Sequence, residues 1–392
     1  MFSILLALIY LSFISLGLPD SLLGSAWPLM VSEFAVPVSY AGMVSMIISA
    51  GTIVSSLLSD RLTRKLGAGL VTAISVLMTA GALLGFALSG SFVVLCILAI
   101  PYGLGAGAVD AALNNYVALH LTSKHMSWLH CFWGVGASVS PYIMGWAIGA
   151  GHGWRTGYGI VSVIQMLLTF LLFVTLPLWK KKQVRDAQTE VAEAPLGLRG
   201  AVRIRGVKAI LLCFFAYCAF ESTAGLWAST YLVQSRGIDS QTAATFASLF
   251  YLGITVGRFL CGFIADRLGD RVMIRCGVIV MLVGVVLILL PVGVSVTALI
   301  GLIVAGIGGA PVYPSIIHST PSNFGKENSH AIVGIQMASA YTGSTLMPPV
   351  FGLIAEHINI ALFPCYLAVF VLLMLVMSET VNRAMNVRKV NG

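Results

Sequence analysis

The chain has 392 residues, of which 58% are hydrophobic and only 9% are charged, and its formal net charge is +8. An ordinary soluble protein carries about 25% charged residues, so this chain has too few charges to cover a water-facing surface. The composition excludes a soluble enzyme, a nucleic-acid binder and a disordered protein. The positions of the basic residues decide what the positive charge means.

Long apolar runs follow one another along the whole chain. A helix needs about 20 apolar residues to cross a bilayer, and strand-like alternation, which a membrane β-barrel requires, is absent. The sequence therefore predicts an all-α membrane protein with twelve transmembrane helices. The predicted spans, numbered 1 to 12 in chain order, are 3–31, 38–59, 68–89, 91–119, 126–150, 156–178, 209–234, 240–266, 272–291, 295–318, 329–353 and 358–379.

The basic residues lie almost entirely on one side of these spans. Of the 22 Lys and Arg, 19 follow an even-numbered span, whereas Arg155 and Arg236 fall on the other side and Arg258 lies within span 8. The positive-inside rule then places both termini in the cytoplasm. Span 1 lacks a basic segment and a small-residue cleavage site, which indicates a retained helix rather than a signal peptide. The expected location is the plasma or inner cell membrane, as a multi-pass protein.

The sequence repeats itself. Four short patterns recur in the same order with offsets of 201 to 207 residues, and they are Asp20…Gly24 with Glu221…Gly225, Asp60-Arg61-Leu62 with Asp266-Arg267-Leu268, Gly103…Gly105 with Gly306…Gly308, and Gly136…Pro141…Gly145 with Gly343…Pro348…Gly352. This order predicts two six-helix halves, 1–178 and 209–392, joined by a cytoplasmic linker, 179–208. Because each half has an even number of helices, both halves have the same orientation in the membrane. Such parallel repeats predict a solute cavity between the halves, which opens to each side in turn as one half rocks against the other.

Three of the 14 acids lie well inside predicted spans: Asp20, Asp110 and Glu221. An ionisable group at this depth costs about 2.5–3.5 kcal/mol, so it usually faces a cavity or a partner. A carboxyl held away from water takes up and releases a proton near neutral pH, as proton coupling requires. Asp110 is the strongest candidate, because Asn114 lies one turn later on the same helical face.

Alternatives remain open for the other two acids. Asp20 follows Pro19 and either joins the proton coupling or caps a turn that the proline distorts. Glu221 has Tyr217 one turn before it and Trp227 beyond it. A carboxylate beside aromatic faces suits a sugar or a cation, but it equally suits a structural bond between helices.

Further polar side chains complete the predicted solute site. His130 and Trp133 in span 5 are candidates, although a lone helix histidine more often makes a neutral bond between helices. Arg258 either pairs with an acid or a solute, or extends toward the membrane surface. Gln336 in span 11 is a weaker candidate.

The loop after span 8 reads Gly262-Phe-Ile-Ala-Asp266-Arg267-Leu-Gly269-Asp-Arg271 and resembles the signature loop of the major facilitator superfamily. Its first copy, from Ser56 to Lys65, is degenerate, since Ser56 and Thr63 replace two glycines. The resemblance covers essentially the whole chain and implies the major facilitator fold. It also implies a cytoplasmic gate formed by Asp60, Arg61, Arg64, Asp266, Arg267 and Arg271.

A narrower resemblance is to the fucose–proton symporter branch and the related sodium-dependent glucose transporters. It rests on short matches in spans 4, 5, 8 and 10, which are Val109–Asn114, Leu129–Ala137, Gly257-Arg258-Phe259 and Pro314-Ser315-Ile316. In that branch the acid of helix 4 takes part in proton coupling, and it corresponds to Asp110. His130 stands where the fucose carrier has an amide side chain.

The sequence therefore predicts a secondary active transporter that works by alternating access, with proton-coupled symport of a small polar solute such as a sugar as the first interpretation. Its rivals are proton-driven efflux of an amphipathic compound, sodium-coupled sugar symport and a non-transporting membrane sensor. No P-loop, dinucleotide fingerprint or metal-spaced histidine pair is present, so we expect neither enzymatic activity nor a cofactor or metal. The expected partners are the solute, a coupling ion (H+ before Na+) and the lipid bilayer. A monomer is expected.

Overall fold

The computed structural model describes residues 2–37, 40–179, 197–238, 240–290 and 296–391. Across these residues the regular structure is helical throughout. Of the predicted linker, residues 180–196 lie outside the described part of the chain. The principal α-helices are α1 Phe2–Gly17, α2 Leu22–Phe34, α3 Tyr40–Leu66, α4 Ala68–Leu88, α5 Phe92–His120, α6 Ser123–Gly149, α7 Gly153–Val174, α8 Gly197–Arg203, α9 Val207–Arg236, α10 Ser240–Leu268, α11 Asp270–Leu289, α12 Val296–Gly309, α13 Val312–His318, α14 Thr320–Phe324, α15 Lys326–Ile354 and α16 Phe363–Asn391.

The chain divides into two compact units. The first comprises Met1–Tyr116 with Leu129–Pro195, and the second comprises Val117–Trp128 with Leu196–Gly392. Among the described residues, ten helical stretches are long and apolar enough to cross a membrane, and the last of them, Lys326–Asn386, covers predicted spans 11 and 12 together. The α6 helix is not among the ten, because it carries more polar side chains. The all-helical, multi-pass prediction is confirmed.

Apolar side chains cover the outside of both units. Leu88, Leu167 and Phe170 in the first unit are 77%, 66% and 71% exposed, and Val369 in the second is 60% exposed. Polar side chains such as Ser56, Asn114 and Gln336, by contrast, are buried among the helices. A surface of this kind is stable against lipid tails and not against water.

Span 1 is not one helix, because Pro19 interrupts it. Proline has no backbone N–H and cannot bond the carbonyl four residues earlier, which is that of Ser15. The side chain of Gln165 takes over and donates its Nε2–H to the Ser15 oxygen at 2.6 Å. Helix α1 ends at Gly17 and α2 begins at Leu22, so that Asp20 lies in the break.

A second proline is accommodated in the same way. Pro141 lies inside α6 and leaves the carbonyl of Ala137 without its helical donor. The hydroxyl of Ser21, in the break of span 1, donates to that carbonyl at 2.9 Å. Span 10 is also interrupted at Pro311, between α12 and α13. The neighbouring side chains therefore satisfy carbonyls that proline would leave unbonded in an apolar medium.

The internal repeat is visible in the closest helix contacts. A Cβ added to Gly103 would lie 2.1 Å from the Ile48 oxygen, and one added to Gly306, its counterpart, would lie 2.3 Å from the Phe250 oxygen. The same holds for Gly136 against Ile14 (2.1 Å) and Gly343 against Phe215 (2.5 Å). Only glycine allows such backbone approach. Both units therefore use the same residue at equivalent packing points.

Arg155 and Arg236, the two arginines outside the basic side, bond the ends of equivalent helices. Arg155 donates to the carbonyl of Ser89, which caps α4, at 2.6 Å, and Arg236 donates to that of Leu290, which caps α11, at 3.1 Å. Cations at helix C-termini satisfy the last carbonyls and the helix dipole. These two arginines are therefore explained by structure alone.

Glu33 is a hydrogen-bond partner of Arg155, and its pKa predicts a pH dependence of stability that can be measured. The side chains of Arg155 and Trp154 donate to its two oxygens and hold its pKa below the usual value. A carboxyl with a depressed folded-state pKa stabilises the fold above its unfolded pKa of about 4.3, and this contribution is lost as the pH falls through the folded pKa.

We expect Glu33→Gln to lower the free energy of unfolding by no more than about 1 kcal/mol at pH 7, because the pair is exposed. Thermal unfolding of both proteins in detergent measures this difference, which should shrink toward zero as the pH falls below about 4. A difference that stays constant between pH 7 and pH 3 would contradict the assignment.

Candidate functional site

A polar chain of three side chains crosses the interior of the first unit. Asn114 donates its Nδ2–H to Oδ1 of Asp110 at 2.8 Å, and its Oδ1 faces Nε2 of His130 at 2.9 Å. Since the amide oxygen can only accept, the His130 Nε2 carries the hydrogen. Asp110 and His130 are 4% and 5% exposed, and Asn114 is fully buried. The predicted Asp110–Asn114 pair is confirmed as a contact, and His130 joins it.

Helix α5 holds this chain in place through close packing against α3. A Cβ on Gly107 would lie 2.2 Å from the Thr52 oxygen, so α3 and α5 touch through their backbones here. The hydroxyl of Ser56 donates to the Gly107 carbonyl at 3.3 Å. The ring of His130 meets the ring of Phe13 edge-on, with centroids 5.4 Å apart. The polar chain is therefore fixed from α1, α3, α5 and α6.

Asp20 and Trp133 form a second pair in the same unit. The indole Nε1–H of Trp133 donates to Oδ2 of Asp20 at 2.9 Å. Asp20 is exposed, whereas Asp110 is buried, and the two carboxyls are close enough to interact electrostatically. The structure thus brings five predicted residues of spans 1, 4 and 5 into one neighbourhood, with one exposed acid and one buried acid.

The second unit has its own buried charges. Nη2 of Arg258 lies 3.6 Å from Oε2 of Glu221 and donates to the hydroxyl of Tyr217 at 3.3 Å. Tyr217 lies one helical turn before Glu221 in α9. The guanidinium carbon lies 5.7 Å from the ring centroid of Tyr313. Three predicted site residues therefore form one cluster, and the contact of Arg258 with Glu221 shows that this arginine does not extend to the membrane surface.

Two further predicted solute ligands have other contacts. Trp227 donates its Nε1–H to the carbonyl of Pro348 at 2.9 Å. The Oε1 of Gln336 accepts from the hydroxyl of Thr320 at 3.0 Å, and the side chain is fully buried. These contacts join α9 to α15 and α14 to α15. They give both residues a packing role beside the predicted solute role.

The repeated signature loops differ in their contacts. In the first unit Arg64 donates to Asp60 at 2.6 Å, within one helix. In the second unit Asp266 accepts from the Thr122 hydroxyl and from the backbone N–H of Lys124, both at 2.9 Å. Thr122 and Lys124 open α6, whose first N–H groups lack helical partners. Asp266 therefore caps a helix to which it does not belong.

Asp270 and His318 extend this contact, and we call Thr122, Ser123, Lys124, Asp266, Asp270 and His318 the loop cluster. Asp270 accepts from Ser123 at 2.7 Å and faces Nδ1 of His318 at 2.7 Å, while Nε2 of His318 faces the carbonyl of Leu121 at 3.1 Å. Both ring nitrogens of His318 face acceptors, which a doubly protonated imidazolium satisfies best. Of the other predicted gate residues, Arg271 donates to Asn386 at 2.8 Å, whereas Arg61 and Arg267 are exposed.

The Asp266 cap has a measurable consequence. We expect Asp266→Ala to destabilise the start of α6 by about 1 kcal/mol, as loss of an N-cap does. Hydrogen exchange at the Lys124 amide should then become about fivefold faster. The exposed neighbour serves as the control, and Arg267→Ala should leave this exchange rate unchanged. Equal exchange rates in Asp266→Ala and the unsubstituted protein would contradict the capping role.

Sequence reasoning missed several of these partners. Phe13 and Tyr313 carry no sequence signal that distinguishes them from other buried aromatics, although Tyr313 stands between the two prolines that interrupt span 10. Within the loop cluster, Asp266 was predicted as a gate residue. Thr122 and Ser123 could have been found from their position, because Thr and Ser commonly precede or open a helix.

Repeated bundles of apolar helices with buried charges define a duplicated, multi-pass α-helical membrane protein. The family model described as Major Facilitator Superfamily matches residues 9–246 and 209–386, so each half of the chain is matched. The chain belongs to the Major Facilitator Superfamily, a family of membrane transporters rather than enzymes.

Among curated relatives, Bypass of stop codon protein 6 of Saccharomyces cerevisiae is 25% identical over 278 residues, 65% of this chain and 56% of that protein. The cis,cis-muconate transport protein of Acinetobacter baylyi is 25% identical over 264 residues, 63% of this chain and 62% of that protein. The matched region therefore spans 56% to 62% of the length of these relatives.

Solved structures share the fold. The Escherichia coli fucose:proton symporter FucP, in its outward conformation, superposes with a TM-score of 0.76 at 15% identity, covering 95% of this chain and 97% of that one. The human organic anion transporter MFSD10 gives a TM-score of 0.74 at 15% identity, covering 96% and 98%. These likenesses confirm the major facilitator fold that the signature loop predicted.

Proposed function

We propose that this protein is a secondary active transporter that carries a small polar solute, such as a sugar, together with protons. The observation that supports this most strongly is the buried Asp110–Asn114–His130 chain, because it places an ionisable carboxyl inside a membrane protein, hydrogen-bonded to Asn114, which in turn bonds His130. The likeness to the FucP fold supports the proposal. The protein would sit in the cell membrane as a monomer, with both termini in the cytoplasm.

The proposed roles follow from the geometry. Asp110 holds the coupling proton, which neutralises a charge that is costly to enclose. His130 is linked to Asp110 through Asn114 and so senses its protonation. Asp20 is hydrogen-bonded to Trp133 and is the proposed assisting acid.

Each unit has its own proposed solute ligands. Asn114, His130 and Trp133 contribute hydrogen bonds and an aromatic face in the first unit. Tyr217, Glu221, Trp227, Arg258 and Gln336 are the proposed ligands in the second. Asp60, Arg61, Arg64, Asp266, Arg267 and Arg271 are the proposed cytoplasmic gate, supported by the helix cap that Asp266 provides.

Transport in proteoliposomes tests the proposal. Labelled sugars are offered under an imposed pH gradient, under a sodium gradient and without a gradient. The proposal expects uptake that follows the pH gradient and needs no sodium. Uptake that follows sodium alone would favour sodium symport, and export of an amphipathic dye without sugar uptake would favour efflux. Either result would overturn the proposal.

A further inference from the structure

The loose ion pair in the second unit constrains what the solute can be. Arg258 is 3% exposed and Glu221 is 15% exposed, so the pair is largely withdrawn from water. Their closest atoms are nevertheless 3.6 Å apart, whereas a charge-assisted N–H···O bond is usually about 2.7–2.9 Å long. Tyr217 and Tyr313 hold the guanidinium through a hydroxyl and a ring face. Two aromatic side chains therefore contact the guanidinium in addition to its counter-ion.

The charge of Arg258 must always be balanced. A guanidinium stays protonated at every physiological pH, and a buried charge without a counter-ion is strongly destabilising. In the structure Glu221 is that counter-ion. A neutral sugar brings no charge to replace it. A carboxylate does, and its two oxygens match the fork of the guanidinium.

We propose that the solute carries a carboxylate group, which binds Arg258 in place of Glu221; this inference rests on the proposed proton symport. Glu221 then takes up a proton from water at its carboxylate oxygen as the ion pair opens. Before binding, the cluster holds one positive and one negative charge. After binding, it holds the guanidinium, the solute carboxylate and a neutral Glu221, so its net charge is unchanged.

The other titratable groups near Glu221 do not take over this exchange. The neighbouring groups are tyrosines and cysteines, which ionise well above neutral pH in water. Glu221 is a carboxyl and is therefore the proposed proton acceptor. The groups that interact with Glu221 or Arg258 from α9, α10 and α13 are Tyr217, Cys218, Tyr251, Cys261 and Tyr313.

Binding to the full-length protein in detergent tests the inference without any gradient. The probes are matched pairs that differ only in a carboxylate or its primary amide: glucuronate and glucuronamide, gluconate and gluconamide, lactate and lactamide, and benzoate and benzamide. We expect at least one carboxylate to bind and its amide to bind at least about 100-fold more weakly, as expected when one partner of a buried charge pair is lost. Equal binding within every pair, binding by neutral members alone, or binding by no carboxylate would overturn the inference.

Two variants locate the effect. Glu221→Gln keeps Arg258 but removes its competitor. Carboxylate affinity should rise as the pH falls in the unsubstituted protein and should be independent of pH in Glu221→Gln. The double variant Arg258→Gln with Glu221→Gln removes both charges together, so no buried charge is left without a counter-ion, and carboxylate binding should fall about 100-fold. Unchanged carboxylate affinity in the double variant would place the anion elsewhere and overturn the assignment.

The outcome separates this inference from the function on which it rests. Proton-driven uptake of a neutral hexose without carboxylate binding would refute the carboxylate and leave proton symport standing. Carboxylate binding at Arg258 without uptake driven by a pH gradient would refute proton symport and leave the ligand class standing.

Discussion

Replacing Asp110 with asparagine is expected to lower solute accumulation about 100-fold under a gradient of about two pH units and to leave solute exchange intact. Asparagine has nearly the same shape and still bonds Asn114, but it cannot bind or release a proton. Each proton that accompanies the solute supports up to about 100-fold accumulation under such a gradient, since each pH unit corresponds to one factor of ten. The variant loses the proton on Asp110, whereas a proton that Glu221 takes up with a carboxylate solute is unaffected.

Two measurements in proteoliposomes separate loss of coupling from loss of folding. Accumulation under a pH gradient should fall by this factor in Asp110→Asn, while exchange of labelled for unlabelled solute at equal pH should persist. The matched control is Glu33→Gln, which removes an exposed carboxyl of the same unit that has a structural partner, Arg155. That control should accumulate solute normally. Full accumulation by Asp110→Asn would show that another group couples the proton.

Substituting alanine at Gly103 or Gly306 is expected to lower the unfolding temperature by about 10 °C. The added methyl group would lie 2.1 Å from the Ile48 oxygen in the first case and 2.3 Å from the Phe250 oxygen in the second. Both contacts are backbone oxygens, which move only if whole helices separate. Overpacking of this kind costs about 3 kcal/mol, and each kcal/mol lowers the unfolding temperature of a unit this size by about 2–4 °C.

Gly81→Ala is the matched control for both substitutions. Gly81 also lies in a membrane-spanning helix, α4, but an added Cβ there meets no atom within 4 Å. Because alanine favours the helix by about 1 kcal/mol over glycine, this variant should be as stable as the unsubstituted protein or slightly more so. Thermal unfolding in detergent measures all three. Equal shifts at Gly103, Gly306 and Gly81 would contradict the repeated packing.

The helix architecture was predictable because membrane solvation leaves few alternatives. Every predicted span is mainly helical where the structure describes it, apart from the breaks of spans 1 and 10, and the counterpart glycines Gly103 and Gly306 were identified from spacing alone. The break of span 1 was only partly foreseen. Pro19 indicated distortion, but a proline in a membrane helix is tolerated or disruptive according to what replaces its hydrogen bond. The deciding residue, Gln165, is remote in sequence.

The partners within the sites were less predictable. Asp110 and Asn114 lie one helical turn apart, so their contact follows from helix geometry. Their link to His130, and that of Glu221 to Arg258, depends on how α6 and α10 are rotated about their axes. That rotation is set by packing between helices and leaves no local pattern. The same reason explains why Asp266 was foreseen as important while its actual partner, the start of α6, was not.

The most direct test of the central claim is to measure proton movement that the solute itself drives. Proteoliposomes are prepared with the same pH on both sides and no sodium, and a transported solute is added outside while an external pH dye is recorded. If a proton enters with each solute through Asp110, the external solution turns alkaline with the unsubstituted protein, and the alkaline change per solute is smaller by one proton with Asp110→Asn. Solute entry without any pH change, or an equal pH change in the variant, would contradict the account.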